Sequence, residues 1–265
     1  MDIWEANSIS SAYTAHPCVN DGLFRCENET DCGNTDRYKG AVCDQDGCDL
    51  NPFRTSVTDF FGPGSSFKVD TTRPFTVVTQ FHTDDQTATG KLVEIKRIFV
   101  QDGNVIEHPD SKIDGMDKQF NSITDEMCET TKGVFGDTND FKTKGGLEKM
   151  GEAMDKGMVL VMSLWDDHAA QMLWLDSTYP TDKTTAGGPR GTCDITSGQP
   201  SDVEKNSPNS SVTYSNVKVG DFGSTYDSGP TPPSPGNCPG GSLTACIGLC
   251  PSDATAFQAC VAVCQ

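Results

Sequence analysis

No stretch of the chain approaches the roughly 18 consecutive apolar residues that a membrane-spanning helix needs. Residues 1–20 lack the basic-then-apolar pattern of a secretory leader. Histidine is scarce: there are four in 265 residues, none at ligand spacing from a cysteine pair, which argues against a zinc module. Positive charge is scarce too. Twenty Lys and Arg stand against 38 Asp and Glu, for a net charge of −18. Such a surface repels a nucleic-acid duplex or an anionic membrane, but not a neutral polymer such as a polysaccharide. The plainest physical reading of the charge is solubility in an acidic medium. There is no βαβ rhythm and no internal repeat.

Cysteine, by contrast, is abundant. Twelve residues, most of them in two dense clusters, point to an oxidising, extracellular setting. A secreted chain without a leader is then a mature protein or a piece of one. Residues 1–64 are rich in Asn, Asp, Gly and Pro, with cysteines at 18, 26, 32, 43 and 48, so disulfides are expected to hold this region. Asn28 and Asn209 each head a glycosylation sequon, which suits exposed loops.

Strand signals follow. Phe75, Val77, Thr79 and Phe81 alternate on one face of a β-branched, aromatic stretch. Lys96 to Gln101 runs into Asp102-Gly103-Asn104, a hairpin signal. Residues 145–155 read as the one short helix, with Leu147, Met150 and Met154 on a single stripe. Met158 to Trp165 is almost continuously apolar and predicts a strand buried on both faces; Gln171 to Asp176 follows after a polar break, and Ser211 to Val219 alternates as a last strand. Short strands with long loops predict an all-β sandwich, large enough for one main domain. Residues 221–237 form a Pro/Gly/Ser-rich linker, and 238–265 a Cys-rich tail. In that tail Cys246, Cys250, Cys260 and Cys264 are spaced to staple two short helices.

The chemistry starts at the first residues. Asp2 and Glu5 flank Trp4, and two nearby carboxylates can divide acid and base work on one bond. Met1-Asp2-Ile3-Trp4-Glu5-Ala6-Asn7-Ser8 resembles the active-site segment of the fungal cellobiohydrolases of glycoside hydrolase family 7. The likeness runs on through Ala15-His16-Pro17-Cys18, Cys43 to Arg54, Phe61 to Phe67, Val161 to Asp167, Met172 to Pro180 and Arg190 to Cys193. It implies a concanavalin-like jelly-roll sandwich over residues 1–220, here lacking strands. It also implies hydrolysis of β-1,4-glucosidic bonds in cellulose with retention, releasing cellobiose, without cofactor or metal. The chain is then a secreted monomer acting on cellulose or another β-1,4-glucan, with no nucleic-acid or membrane partner.

The family pattern is Glu-x-Asp-x-x-Glu. By resemblance Glu5 is the acid/base, Asp2 supports the nucleophile, and His16 lies beside them on the leaving-group side. The nucleophile is expected one position before Met1, so the chain reads as a C-terminal fragment, inactive by itself. Trp165 is implied as a sugar platform before the cleavage point and Trp174 as one just after it. Arg37, Asp46, Asp49, Arg54, Tyr179 and Arg190 match product-side residues. The family's bridges pair Cys18 with Cys43, Cys26 with Cys32, and Cys48 with Cys128, leaving Cys193 to a cysteine upstream. Nested bridges Cys246–Cys264 and Cys250–Cys260 are expected in the tail, with Cys238 left over. The short loop between Cys32 and Arg37, and His168-Ala169 where the tunnel enzymes carry a tyrosine pair, imply a more open tunnel. The tail lacks the exposed aromatics of the usual cellulose-binding module and reads as a structural or docking piece. Alternative readings are an endo-β-1,4-glucanase of the same family and a non-catalytic, lectin-like glucan binder.

Overall fold

A computed structural model describes residues 1–226 and the backbone of Cys260–Cys264. Two antiparallel sheets face one another. The smaller comprises β1 (Asp2–Ala6), β2 (Ser11–Ala15) and β3 (Cys48–Leu50), in that spatial order. Next in the chain come β4 (Phe61–Gly62) and β5 (Val69–Asp70), a short parallel pair. The larger sheet is built on β6 (Thr76–Thr83), β7 (Leu92–Gln101), β8 (Asn104–Glu107) and β9 (Ser122–Ile123). It is completed by β10 (Ser215–Gly220) and β11 (Cys260–Cys264), giving the order β10-β11-β6-β7-β8 with β9 also against β7.

Alternation decides which side chains meet between the sheets. Tyr13, Ala15, Cys48 and Leu50 from the small sheet pack with Phe81, Ile95 and Ile123 from the large one. Beside them Trp4 meets Phe61, Phe75 and Phe99 edge-on, with centroids 5.8 to 6.0 Å apart. Such aromatic pairs contribute about 0.5–1.5 kcal/mol each beyond their burial. Phe75, Val77 and Phe81 thus share the inward face that their spacing predicts. The Asp102-Gly103 turn also forms as expected. Gln101 pairs with Asn104, and both turn residues have positive φ, 52° and 76°.

Three helices pack around the sandwich core. α1 (Asp125–Phe135) was hidden in the sequence by its β-branched Thr130, Thr131 and Val134, although its ends are well marked. Met127 N–H donates to Thr124 Oγ1 at 3.0 Å, Asp125 and Glu126 complement the positive N-terminal end, and Gly136 closes the helix with φ 71°. It buries Met127, Cys128, Thr131 and Phe135. α2 (Asp140–Thr143) leads into α3 (Gly146–Asp155), the helix expected from the 145–155 stripe, which sends Leu147 and Met150 into the core. Disulfides Cys18–Cys43, Cys26–Cys32 and Cys48–Cys128 tie the loops down, the last joining β3 to α1 across 80 residues of sequence.

Several expectations fail. Met158 to Trp165 is not a buried strand: it makes no ladder and lies in solvent, with Val159 87% and Val161 77% exposed. An apolar run becomes a central strand only when strands flank it, and among the described residues none does. Residues 171–176 turn instead of extending. Gln171 and Met172 have φ of 52° and 61°, and α4 (Leu173–Asp176) follows. A further helix, α5 (Pro200–Asn206), starts at a proline. In the tail, Cys260–Cys264 is extended rather than helical. It alternates β-branched residues and fills the free edge of β6 from Gln80 to Thr76, where unpaired backbone groups are available. Cys238, Cys246 and Cys250, and with them the expected nested bridges, lie outside the described residues. The exposure of the 158–165 run leads to a direct expectation. Val159→Asp and Val161→Asp leave the unfolding free energy of this chain, from urea titration, within about 0.5 kcal/mol of the parent. A loss of most of its stability would instead place the run in a core.

Candidate active site

In a regular strand, residues three apart point to opposite faces. Asp2 and Glu5 are three apart on β1, yet they share a face. The reason is a bulge. Asp2 pairs with Thr14 and Glu5 with Ala12, so β1 takes three steps where β2 takes two. Ala12 and Thr14 lie on the side of β2 away from the core, because Tyr13 and Ala15 point inward. The extra residue therefore turns both carboxylates outward, and Ile3 and Trp4 pack against the aromatic core behind them.

On that outer face the groups form a connected set. His16 Nε2 lies 2.8 Å from Asp2 Oδ2, and His16 Nδ1 lies 2.8 Å from the carbonyl oxygen of Asp44. Thr14 Oγ1 donates to Glu5 Oε2 at 2.9 Å. Gly47 makes room for the ring: its φ is 68°, and a Cβ there would come within 2.6 Å of His16. Burial raises the Asp2 carboxyl, but the His16 hydrogen bond and charge outweigh it and hold Asp2 below its ordinary value. Burial likewise lowers His16, and the bond and charge from Asp2 outweigh that to hold it above its own. Glu5 goes the other way. Burial, reinforced by the Asp2 charge, pushes it up to about 7, although Thr14 and His16 pull against the shift. One carboxyl stays ionised beside another that keeps its proton near neutrality. This division is what acid/base work on a single bond needs.

The residues matched to the product side fall into two groups. Asp46 pairs with Arg37 Nη1 at 3.2 Å and accepts a hydrogen bond from the Tyr38 hydroxyl at 2.6 Å. Asp49, across from Thr14 on β3, pairs with the buried Arg54 and lies 3.8 Å from Arg190 Nη1. Arg54 continues to Asp137 and stacks 4.6 Å over the Phe135 ring, and Lys183 reaches Asp137 at 3.0 Å. Asp137 and Lys183 went unnoticed in the sequence because a lone charged residue in a loop reads as surface. The structure puts Trp165 and Trp174 against each other, with centroids 6.3 Å apart and planes 25° apart. They form one aromatic surface. Trp174 is tied in through Asp167, which accepts from Nε1 at 2.9 Å. Its helix is joined to the end of β1 by Asn7 Nδ2, which donates to Asp176 at 2.6 Å. Asn51 Nδ2 donates to Ser10 Oγ and to the carbonyls of Leu175 and Arg190, knotting the same elements together. Tyr179 precedes a cis proline and donates its N–H to the Gly188 carbonyl at 3.0 Å.

Two groups of ligand-type atoms occur among the described residues. Cys26, Asp31 and Cys32 form one, but both cysteines are spent in a disulfide. Asp166, His168 and Glu204 form the other, which ion pairing of His168 with both acids already explains. Cys193 is a free thiol among the described residues, and Asn28 and Asn209 are exposed.

The model of glycosyl hydrolase family 7 matches residues 1–226. The chain belongs to that family. A family 7 cellobiohydrolase from Daphnia pulex is 52% identical over 77% of this chain, with a TM-score of 0.74. A cellobiohydrolase from Melanocarpus albomyces, solved with cellotetraose, is 41% identical over 79% of the chain, with a TM-score of 0.69. The Humicola insolens endocellulase EGI is 40% identical over 78%, with a TM-score of 0.64. Each match covers 46% of the other protein, so the chain spans about half the length of these relatives. Family 7 membership places the two facing sheets in its jelly-roll sandwich fold and accounts for the disulfide-held loops.

The linked titrations give two checks. Thr14→Val removes a bond that lowers Glu5, so the Glu5 carboxyl, followed by ¹³C NMR, titrates higher than in the parent. Because Glu5 holds its proton more tightly folded than unfolded, it stabilises the fold below pH 4.5, and that stability is lost as pH rises towards 7. Glu5→Gln flattens this dependence in urea unfolding between pH 5 and 7.

Proposed function

We propose that this chain is the acid/base half of a secreted cellobiohydrolase that cleaves β-1,4-glucosidic bonds in cellulose with retention of configuration. The observation that carries the reading is the opposite tuning of two carboxyls on one outer face: Glu5 pushed up to about 7, and Asp2 held ionised by His16. Glu5 delivers its proton to the leaving glycosidic oxygen. Retention needs a second carboxylate about 5 Å from the first to attack the anomeric carbon. Asp2 is committed to His16, so its part is to hold and tune that nucleophile. Trp165 and Trp174 offer a flat apolar surface to sugar rings, while Arg37, Asp46, Asp49, Arg54, Tyr179 and Arg190 take the hydroxyls on the product side. Both cellobiohydrolases and an endocellulase are among the relatives; the retained 46–54 region favours the former. Residues 221–237 act as a linker to the Cys-rich stretch, whose Cys260–Cys264 segment joins the main sheet as β11.

The test joins this chain to the upstream half of its enzyme. The joined protein releases mainly cellobiose from cellulose, and Glu5→Gln lowers hydrolysis of an unactivated glucan by about 10²–10⁴-fold. Persisting hydrolysis would remove Glu5 from the acid role, and mixed long oligomers from a soluble derivatised cellulose would make the enzyme an endoglucanase.

A further inference from the structure

The bulge that brings Asp2 and Glu5 together has to be held. A bulge leaves backbone groups outside the strand ladder, and the Ile3 carbonyl lies inside this one. The side chain that takes it comes from the opposite sheet. Arg97, on β7 between the inward-facing Ile95 and Phe99, donates through Nη2 to the Ile3 oxygen. It is only 2% exposed. Its guanidinium carbon lies 4.5 Å from the ring centroid of Tyr13 and 5.2 Å from that of Trp4, the indole standing between the two acids. No carboxylate pairs with it among the described residues, and its Nε and Nη1 have no hydrogen-bond partner there.

A buried cation without a counter-ion is costly, and an apolar side chain would fill the same slot at lower cost. What an apolar residue cannot do is donate to a carbonyl from between two aromatic faces. We propose that Arg97 is the positioning residue of the site: by gripping the Ile3 carbonyl and the faces of Trp4 and Tyr13, it fixes the extra residue of β1 and so keeps Asp2 and Glu5 on one face. The sequence offers no warning of this. A lone arginine within a strand reads as surface, and only the packing of β7 beneath β1 shows where Arg97 goes.

This role rests on Glu5 being the acid/base, and its test does not use hydrolysis. The Glu5 carboxyl is titrated by ¹³C NMR in the chain itself, and the β1–β2 register is read from the Glu5–Ala12 cross-strand contact. In Arg97→Met the bulge relaxes, Glu5 leaves the neighbourhood of Asp2, and its pKa falls by about one unit or more. The register contact is lost with it. The sign is diagnostic, since removing a nearby positive charge would by itself raise a carboxyl pKa. Arg97→Lys keeps a cation and a donor and leaves Glu5 near 7. A folded Arg97→Met with Glu5 unmoved or raised overturns the proposal. Should that variant not fold, Arg97→Lys decides, and a fall of about one unit in the folded protein would overturn it. Either result leaves the Glu5→Gln experiment standing by itself, so the two readings fail separately.

Discussion

The site depends on one extra residue in β1. A strand of period two would send Asp2 and Glu5 to opposite sides, one into an aromatic core and one outward. The bulge opposite Thr14 and Ala12 removes that conflict and aims both carboxyls at the face where His16 and Thr14 wait. The chemistry follows from the neighbours each acid then meets. Asp2 gains a cation to pair with, whereas Glu5 gains burial and a like charge. Two chemically similar groups are thereby driven to opposite protonation states near neutral pH.

The sandwich supplies what the bulge requires. β1 lies at the edge of a three-stranded sheet, backed by Phe61, Phe75 and Phe99 and by a buried guanidinium from β7. The neighbouring strands carry the rest. β2 brings Thr14 and leads into His16, and β3 presents Asp49 with its two arginines. The Asn7–Asp176 and Asn51 hydrogen bonds couple this sheet to the turn that bears Trp174. A small set of buried polar contacts thus ties the acid strand to the aromatic surface and to the charged side of the site. Buried polar networks of this kind favour one arrangement because every alternative leaves groups unpaired.

Where residue patterns misled, the cause was a missing partner or a masked signal. The 158–165 run is apolar enough for a central strand, but a strand needs neighbours, and here the run faces solvent. α1 carries a capping threonine, two leading acids and a terminal glycine, yet its Thr and Val content weakened the helical signal. Cys260–Cys264 has the i, i+4 cysteines of a helix face and also the β-branched alternation of a strand; an open edge on β6 settled it as a strand. The turn at Gln171 and Met172, which no spacing announced, leads into the helix that sets Trp174 against Trp165.

The sequence by itself determined the family, the inward face of β6, the hairpin at Asp102-Gly103 and the pair of carboxyls at the start of the chain. Each of these is carried by local spacing or by ordered blocks of residues. Tertiary structure alone decided that Asp2 and Glu5 meet, that one is ionised while the other holds a proton, and that Arg97 lies beneath them. Those outcomes depend on strand register, burial and contacts across the sandwich. No spacing along the chain encodes them, because a one-residue slip in register turns every side chain to the other face.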